Sequence, residues 1–228
     1  MENVRAVVFD LDGTLVDSLA DIAAAVNSTL EAHGRAPHAL EAYRAMVGWG
    51  LRKLLVAASE SNPFSDNELD QAHREVVALY HDHPVARTRV YDGIRGLLAS
   101  LKGFPLAVLS NKEEGVARQI VQTLFPGVFA AVLGSRPDRA SKPDPAALLA
   151  LLKEWNVAPA QCALLGDSGV DIETAARAGA LPCGALWGFR DAAELARAGA
   201  VAAFATPGEF ARWLAPRLEP KTIEEGVS

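Results

Sequence analysis

The sequence predicts an α/β protein with a doubly wound, Rossmann-like parallel sheet and one helical insertion. Three observations predict this fold: short apolar runs recur along the chain, amphipathic segments separate most of them, and the interval 18–87 contains helical patterns only. The chain has 228 residues, of which 50% are hydrophobic, so it can bury a large core.

The predicted strands are short, nearly continuous apolar runs, which are typical of parallel sheets covered on both faces. The first strand, Val4–Phe9, ends at Asp10. Five more runs follow at Pro105–Ser110, Phe129–Gly134, Cys162–Asp167, Leu181–Trp187 and Ala200–Ala205. Helical patterns lie between several of them, at Glu113–Phe125, Pro145–Trp155 and Asp171–Gly179. This alternation predicts the doubly wound core.

One interval breaks the alternation, because it has helical periodicity and no strand pattern. Its predicted helices are Asp21–Gly34, Leu40–Gly48, Leu51–Glu60 and Asn67–His83. A further helical pattern, within Val90–Gly103, leads into the second core strand. We therefore expect an α/β core at 1–17 and 88–215, a small helical domain at 18–87, called the insertion below, and a polar C-terminal tail at 216–228.

Composition excludes several classes of function. The chain has 22 Lys+Arg against 28 Asp+Glu, a net charge of −6, and no basic stripe, which argues against a nucleic-acid partner. No apolar segment is long enough to predict a membrane span or a signal peptide. Cys162 and Cys183 lie in apolar runs and are predicted to be buried free thiols, as suits a reducing cytoplasm. We expect a cytoplasmic monomer or homodimer.

Polar residues stand where three of the predicted strands end. They are Asp10 with Asp12, Ser110 with Asn111, and Asp167 with Asp171. In open parallel sheets, ligands bind outside the carboxyl ends of the strands. Lys142, just before a predicted helix, can reach the same edge. The sequence therefore predicts one polar site at this edge of the sheet.

The residue types at this edge indicate phosphoryl chemistry. Asp10 and Asp12 can share one side of an extended segment, where two carboxylates repel unless a cation lies between them. With Asp167 they form an oxygen cluster of the kind that Mg²⁺ prefers. A metal and a lysine at one edge suit a phosphate, and Gly13 lets the backbone turn its N–H groups toward an anion. One carboxylate can then attack, and a second can protonate the leaving oxygen.

Four segments carry a resemblance to a known family. "DLDGTLVDS", "LSNK", "SKPDP" and "GDSGVDIETAARAG" resemble, in order, the four motifs of the haloacid dehalogenase-like hydrolase superfamily. The insertion resembles the small helical cap domain of its members. "VGWGLRKLL" and "ALWGFR" are most similar to phosphoglycolate phosphatases within that superfamily.

The resemblance implies a role for each matched residue. Asp10 would be the nucleophile that forms an aspartyl-phosphate, and Asp12 the general acid and then the general base. The implied ligands of Mg²⁺ are Asp10, the backbone carbonyl of Asp12, and Asp167, with Asp171 supporting the metal through water or holding the lysine. Ser110 would donate a hydrogen bond to the phosphoryl group, and Lys142 would balance its charge. The expected contacts of a small phosphorylated metabolite are Thr14, Gly48, Asn111 and Arg52.

Several alternatives remain open. The same chemistry serves a pyrophosphatase, a sugar-phosphate phosphatase or a phosphoglucomutase-like isomerase, while a dehalogenase is disfavoured because it does not need the acid at Asp12. A catalytically silent binding protein on the same fold is a further alternative. Arg52 and Lys53 can meet a substrate carboxylate or form a solvated helix face. Asp171 stands at the start of a predicted helix and can instead cap that helix.

Overall fold

The centre of the protein is a six-stranded parallel sheet, seen in a computed structural model that describes residues 3–219. The strands are β1 (Ala6–Phe9), β2 (Val16–Asp17), β3 (Arg89–Val90), β4 (Leu106–Glu113), β5 (Ala131–Ser135), β6 (Cys162–Gly166), β7 (Leu181–Ala185) and β8 (Ala202–Phe204). The sheet has the order β5-β4-β1-β6-β7-β8, so β1 lies between β4 and β6. The predicted doubly wound parallel sheet is confirmed.

Helices cover the sheet and fill the insertion. They are α1 (Leu19–Ala32), α2 (Leu40–Met46), α3 (Leu51–Ala58), α4 (Asp66–Asp82), α5 (Ile94–Ser100), α6 (Glu114–Leu124), α7 (Ala146–Glu154), α8 (Gly169–Ala178), α9 (Ala192–Arg197) and α10 (Pro207–Leu214). The sequence patterns predicted α1 to α8 within a few residues, whereas α9 and α10 were not predicted. Among the described residues, no helix is both long and apolar enough to cross a membrane.

Both faces of the sheet are buried, which explains the continuous apolar strands. Val7 and Phe9 of β1 point into one hydrophobic cluster, to which α5, α6 and α10 contribute. Ala6 and Val8 point into a second cluster on the opposite face, formed with α7 and α8. Residues of α1 to α4 join the first cluster, so the insertion packs against the core through apolar contacts.

A short antiparallel pair, β2 and β3, stands at the two ends of the insertion, with Val16 opposite Val90. Asp21 of α1 strengthens this junction, because its carboxylate accepts hydrogen bonds from the backbone N–H groups of Arg87 and Thr88 at 2.8–3.0 Å. The sequence did not predict this pair, since two residues per strand are too few to show a period.

The chain ends of the described region meet beside β1. Val4 donates to the carbonyl of Arg217 at 2.6 Å, and the Glu219 N–H donates to the carbonyl of Val4 at 2.9 Å. Residues 216–219 of the predicted tail are thus joined to the core, and the remainder, 220–228, lies outside the described residues. Cys162 and Cys183 are buried free thiols, as predicted.

Candidate active site

The predicted site residues meet at the carboxyl edge of the sheet, where β4, β1 and β6 lie side by side. Asp10 follows β1, Ser110 lies within β4, and Asp167 follows β6. Lys142 reaches the same edge from the loop before α7. All four residues are at most 8% exposed, and all line one pocket. The parallel sheet therefore brings together groups that are far apart in the sequence.

Asp10, Asp167 and Asp171 form a buried acidic triad. Each offers a carboxylate oxygen, and these oxygens lie within 4.8 Å of one another. Oxygen donors alone are the ligand set of hard cations, and a divalent cation relieves the repulsion among three close carboxylates. The residues present therefore fit a bound metal ion. The side chain of Asp12 is not in this triad, so its predicted metal contact depends on its backbone carbonyl.

Lys142 holds two members of the triad. Its Nζ lies 2.8 Å from Asp10 Oδ1 and 2.5 Å from Asp171 Oδ1, and it also donates to the Leu109 carbonyl at 3.0 Å. Burial opposes the charge of this lysine, but the two carboxylates outweigh burial and raise its pKa above the ordinary value. Lys142 is therefore a fixed positive charge beside Asp10.

Burial also disfavours the ionised form of the carboxylates. Burial, then the charge of Asp171, raises the pKa of Asp10 to about 7, although Lys142 opposes the shift. Burial, Asp10 and Asp171 raise the pKa of Asp167 well above its usual value. One lysine is thus too little positive charge to keep the whole triad ionised at neutral pH. A metal ion favours the ionised form that a nucleophilic carboxylate needs.

Asp171 also stabilises the start of α8. Its Oδ2 accepts hydrogen bonds from the Ser168 N–H at 3.1 Å and from the Ser168 hydroxyl at 2.6 Å. These bonds form a capping arrangement at the helix N-terminus. The sequence left open whether Asp171 caps a helix or serves the site. Its two oxygens do both, since Oδ1 contacts Lys142.

Two loops enclose Asp167. The Phe189 N–H donates to its Oδ2 at 2.7 Å, and the Thr14 hydroxyl lies 3.4 Å from Oδ1. Gly13 has a φ of +87°, and a Cβ there would stand 2.3 Å from Asp167 Oδ2, so only glycine fits. Thr14 is fully buried and does not line the pocket. The structure therefore gives the Thr14 hydroxyl a contact that supports Asp167, and the predicted substrate contact of Thr14 stays a prediction.

Asn111 and Gly48 do line the pocket, but the Asn111 side chain is already engaged. Its Nδ2 donates to the carbonyls of Gly48 at 3.0 Å and Lys142 at 3.1 Å, and its Oδ1 accepts from the Lys142 N–H at 2.8 Å. Asn111 thus ties the insertion and the Lys142 loop to β4. This arrangement positions Lys142, and the substrate contact of Asn111 stays a prediction.

A comparison with protein families matches residues 4–179 to the model of the haloacid dehalogenase-like hydrolases. The chain belongs to that family. The match covers most of the chain and confirms the membership predicted from the four motifs. The buried triad, Lys142 and Ser110 are thus arranged on the core of a hydrolase.

Relatives of this hydrolase include several phosphoglycolate phosphatases. A phosphoglycolate phosphatase from Neisseria meningitidis is 36% identical over 197 residues, which cover 84% of each chain. A phosphoglycolate phosphatase from Aquifex aeolicus is 34% identical over 193 residues, or 82% of this chain and 86% of the relative. The solved structure of a predicted phosphoglycolate phosphatase from Haemophilus somnus superposes with a TM-score of 0.86 at 26% identity, over 93% of this chain and 99% of that one.

Arg52 is not at the pocket of this hydrolase. Its guanidinium pairs with Asp70 of α4, and its side chain is 47% exposed. Lys53 lies over the Trp49 ring, 4.7 Å from its centroid. Neither cation lines the pocket that Asp10 and Asp167 line. In this structure Arg52 lies on the solvated face of α3, because the apolar side of this helix turns inward, and its substrate contact stays a prediction.

Arg190 is a pocket residue that sequence reasoning missed. Its guanidinium donates to the carbonyls of Ala45 at 3.2 Å and Val47 at 2.6 Å, and also to that of Arg44. These carbonyls lie at the C-terminal end of α2, where the helix dipole favours a positive charge. Arg190 therefore clamps the insertion to the core beside the site. The quoted segment "ALWGFR" ends at this residue, but its partners are distant in the sequence.

Proposed function

We propose that the protein is a Mg²⁺-dependent phosphomonoesterase that hydrolyses 2-phosphoglycolate to glycolate and phosphate through an aspartyl-phosphate. The observation that carries this proposal is one pocket lined by Asp10, Asp167, Ser110 and Lys142, with Asp171 buried behind them in the acidic triad. The phosphoglycolate phosphatases among its relatives support the choice of substrate.

The proposed reaction has two steps. A carboxylate oxygen of Asp10 attacks phosphorus, an O–P bond forms, and the bond from phosphorus to the ester oxygen breaks as Asp12 transfers its proton to that oxygen. In the second step Asp12 takes a proton from water, whose oxygen attacks the aspartyl-phosphate and releases inorganic phosphate. Ser110 and Lys142 bind the phosphoryl oxygens in both steps.

Mg²⁺ would be held by Asp10, the backbone carbonyl of Asp12 and Asp167, with Asp171 behind them. When bound, it neutralises charge on the phosphoryl group. The residues of the chain position the reacting groups, because phosphoryl transfer depends mainly on alignment and charge balance.

The walls of the pocket favour a small substrate. The insertion contributes Val47, Leu51 and Leu54, which are at most 8% exposed, and we propose that residues 18–87 act as a cap that excludes water. Arg190 lines this wall, where its guanidinium donates to the carbonyls at the end of α2 and its Nε lies 3.4 Å from Glu194 Oε2. The buried free thiols agree with a cytoplasmic location.

Phosphate release with and without Mg²⁺ tests the function. The panel holds 2-phosphoglycolate, pyrophosphate, several sugar phosphates and an aryl phosphate. We expect 2-phosphoglycolate to lead in kcat/KM, and chelation to abolish turnover. Equal, slow cleavage of every ester would keep the chemistry and overturn the substrate. No turnover of any compound with Mg²⁺ would overturn the enzyme and favour a binding protein.

The metal-free protein should lose stability as pH rises, and Mg²⁺ should stabilise it at pH 8. The raised pKa values of Asp10, about 7, and of Asp167 mean that the folded metal-free state binds protons that the unfolded state has lost. Its unfolding free energy should therefore fall as pH rises from 4 to 7. At pH 8, Mg²⁺ at 100 times its Kd should raise this free energy by about 2.7 kcal/mol. Urea unfolding measures both effects.

Asp167→Asn is the control for this measurement. The variant should lose most of the stabilisation by Mg²⁺, since it lacks one ligand of the triad. An unfolding free energy that is indifferent to Mg²⁺ in the wild-type protein would contradict the proposed metal site.

A further inference from the structure

Lys112 is a buried lysine that the reaction above does not use. Its Nζ lies 2.9 Å from each carboxylate oxygen of Asp12, and its side chain is 3% exposed. On the other side, the ammonium lies 4.1 Å from the centroid of the Tyr80 ring. A buried ammonium needs such partners, because an unpaired one is strongly destabilising.

The contacts of Asp12 distinguish its two oxygens. Oδ1 accepts hydrogen bonds from both Lys112 Nζ and the Ser18 hydroxyl, whereas Oδ2 accepts only the one from Lys112 among the described residues. A carboxylate oxygen has two lone pairs in its plane. Oδ2 therefore keeps a lone pair free for a proton, and Lys112 with Ser18 fixes the direction in which that lone pair points.

The contact between Lys112 and Tyr80 joins the core to the insertion. Lys112 belongs to β4, whereas Tyr80 belongs to α4 and is 1% exposed. The Lys112 ammonium lies over the Tyr80 ring, and the Tyr80 hydroxyl makes no hydrogen bond of ordinary geometry within residues 3–219. The position of Lys112 therefore depends on α4 being packed over the core.

We propose that Lys112 is a positioning residue that aims the Asp12 carboxyl, through Oδ2, at the leaving oxygen, and that Tyr80 makes this alignment depend on closure of the insertion. The inference rests on the proposed phosphatase function. In the first step the Asp12 proton goes to the ester oxygen as its bond to phosphorus breaks. If the Asp12 carboxyl points away from the ester oxygen, proton transfer slows, and so does cleavage of an ester with a poor leaving group. A good leaving group departs without the proton, so its ester is cleaved at nearly the same rate.

The test compares two leaving groups in Lys112→Met. For an enzyme with a covalent intermediate, kcat/KM reports only the steps up to release of the first product, so later hydrolysis does not enter. We expect kcat/KM to fall about 100-fold for 2-phosphoglycolate and less than about 5-fold for 4-nitrophenyl phosphate. Lys153→Met, the same change on the exposed face of α7, should leave both values unchanged.

Two further variants sharpen the test. Tyr80→Phe keeps the ring and should retain more activity on 2-phosphoglycolate than Tyr80→Leu, with the same dependence on leaving group. Thermal unfolding monitors the fold. If Lys112→Met does not fold, Lys112→Arg replaces it. The longer, planar guanidinium displaces the Asp12 carboxyl and should make the loss in kcat/KM depend on the leaving group in the same way.

The outcomes distinguish a failure of the positioning role of Lys112 from a failure of the proposed phosphatase function. Equal losses on the two esters, or no loss on 2-phosphoglycolate, in an otherwise active protein would overturn the positioning role and leave the phosphatase standing. Wild-type protein that is inactive on both esters would overturn the proposed function and this inference with it.

Discussion

Replacing Asp10 with Asn is expected to lower turnover of 2-phosphoglycolate by about 10⁴-fold or more, as losses of nucleophiles generally do. An amide oxygen cannot form the aspartyl-phosphate, and Asn cannot supply the charge that a metal ion and Lys142 bind. The fold should survive, because Asn has nearly the same shape and Lys142 keeps its contact with Asp171. Phosphate release measures the loss.

A second readout separates chemistry from binding. Acid-quenched wild-type protein should carry a phosphate adduct detectable by mass spectrometry of the intact chain, and the Asn variant should carry none. Asp92→Asn, an exposed change before α5, is the matched control and should keep both turnover and adduct. An Asn variant that turns over at the wild-type rate would exclude Asp10 as the nucleophile.

The meeting of Asp10, Ser110 and Asp167 could be predicted because it follows from sheet topology. Nearly continuous apolar runs identify buried parallel strands, and the carboxyl ends of such strands share one edge. Their close approach also requires that β4, β1 and β6 be neighbours in the sheet, which the structure shows and the apolar runs alone do not predict. Lys142 needed the family resemblance as well, since a lysine before a helix has no periodic signal of its own.

The walls of the pocket could not be predicted in the same way. Arg52 and Arg190 are both arginines beside glycine- and tryptophan-containing segments, and the sequence analysis named only Arg52, whereas Arg190 lines the pocket. Which side of α3 turns inward depends on how the helices of the insertion pack. The contact of Arg190 with the end of α2 joins segments more than 140 residues apart. Such contacts are tertiary and leave no local pattern.

Lys112 was missed for a different reason. The quoted "LSNK" contains it, but a lysine two residues after Ser110 suggests an exposed position at the end of a strand. In the structure β4 continues to Glu113, so Lys112 remains within the strand, and its ammonium finds Asp12 and Tyr80. Its burial depends on a carboxylate and an aromatic ring that come from two other parts of the chain.

Lys142→Met is expected to produce the largest loss of stability. The change leaves Asp10 and Asp171 buried without their common partner, and breaking a buried ion pair typically destabilises a protein by about 3–5 kcal/mol. Urea unfolding of the metal-free protein at pH 8 measures this loss. Lys153→Met, an exposed change, should alter the unfolding free energy by less than about 0.5 kcal/mol.

The loss should depend on pH in a direction that follows from the pKa of Asp10. Lys142 lowers that pKa, so its removal raises the folded-state pKa further above about 7, while the unfolded value stays near 3.8. The folded variant therefore binds a proton over a wider range than the wild-type protein, and its unfolding free energy should recover as pH falls from 8 toward 5. A destabilisation that is equal at both pH values would mean that Lys142 acts through packing, since only the loss of a charge partner is relieved by protonation.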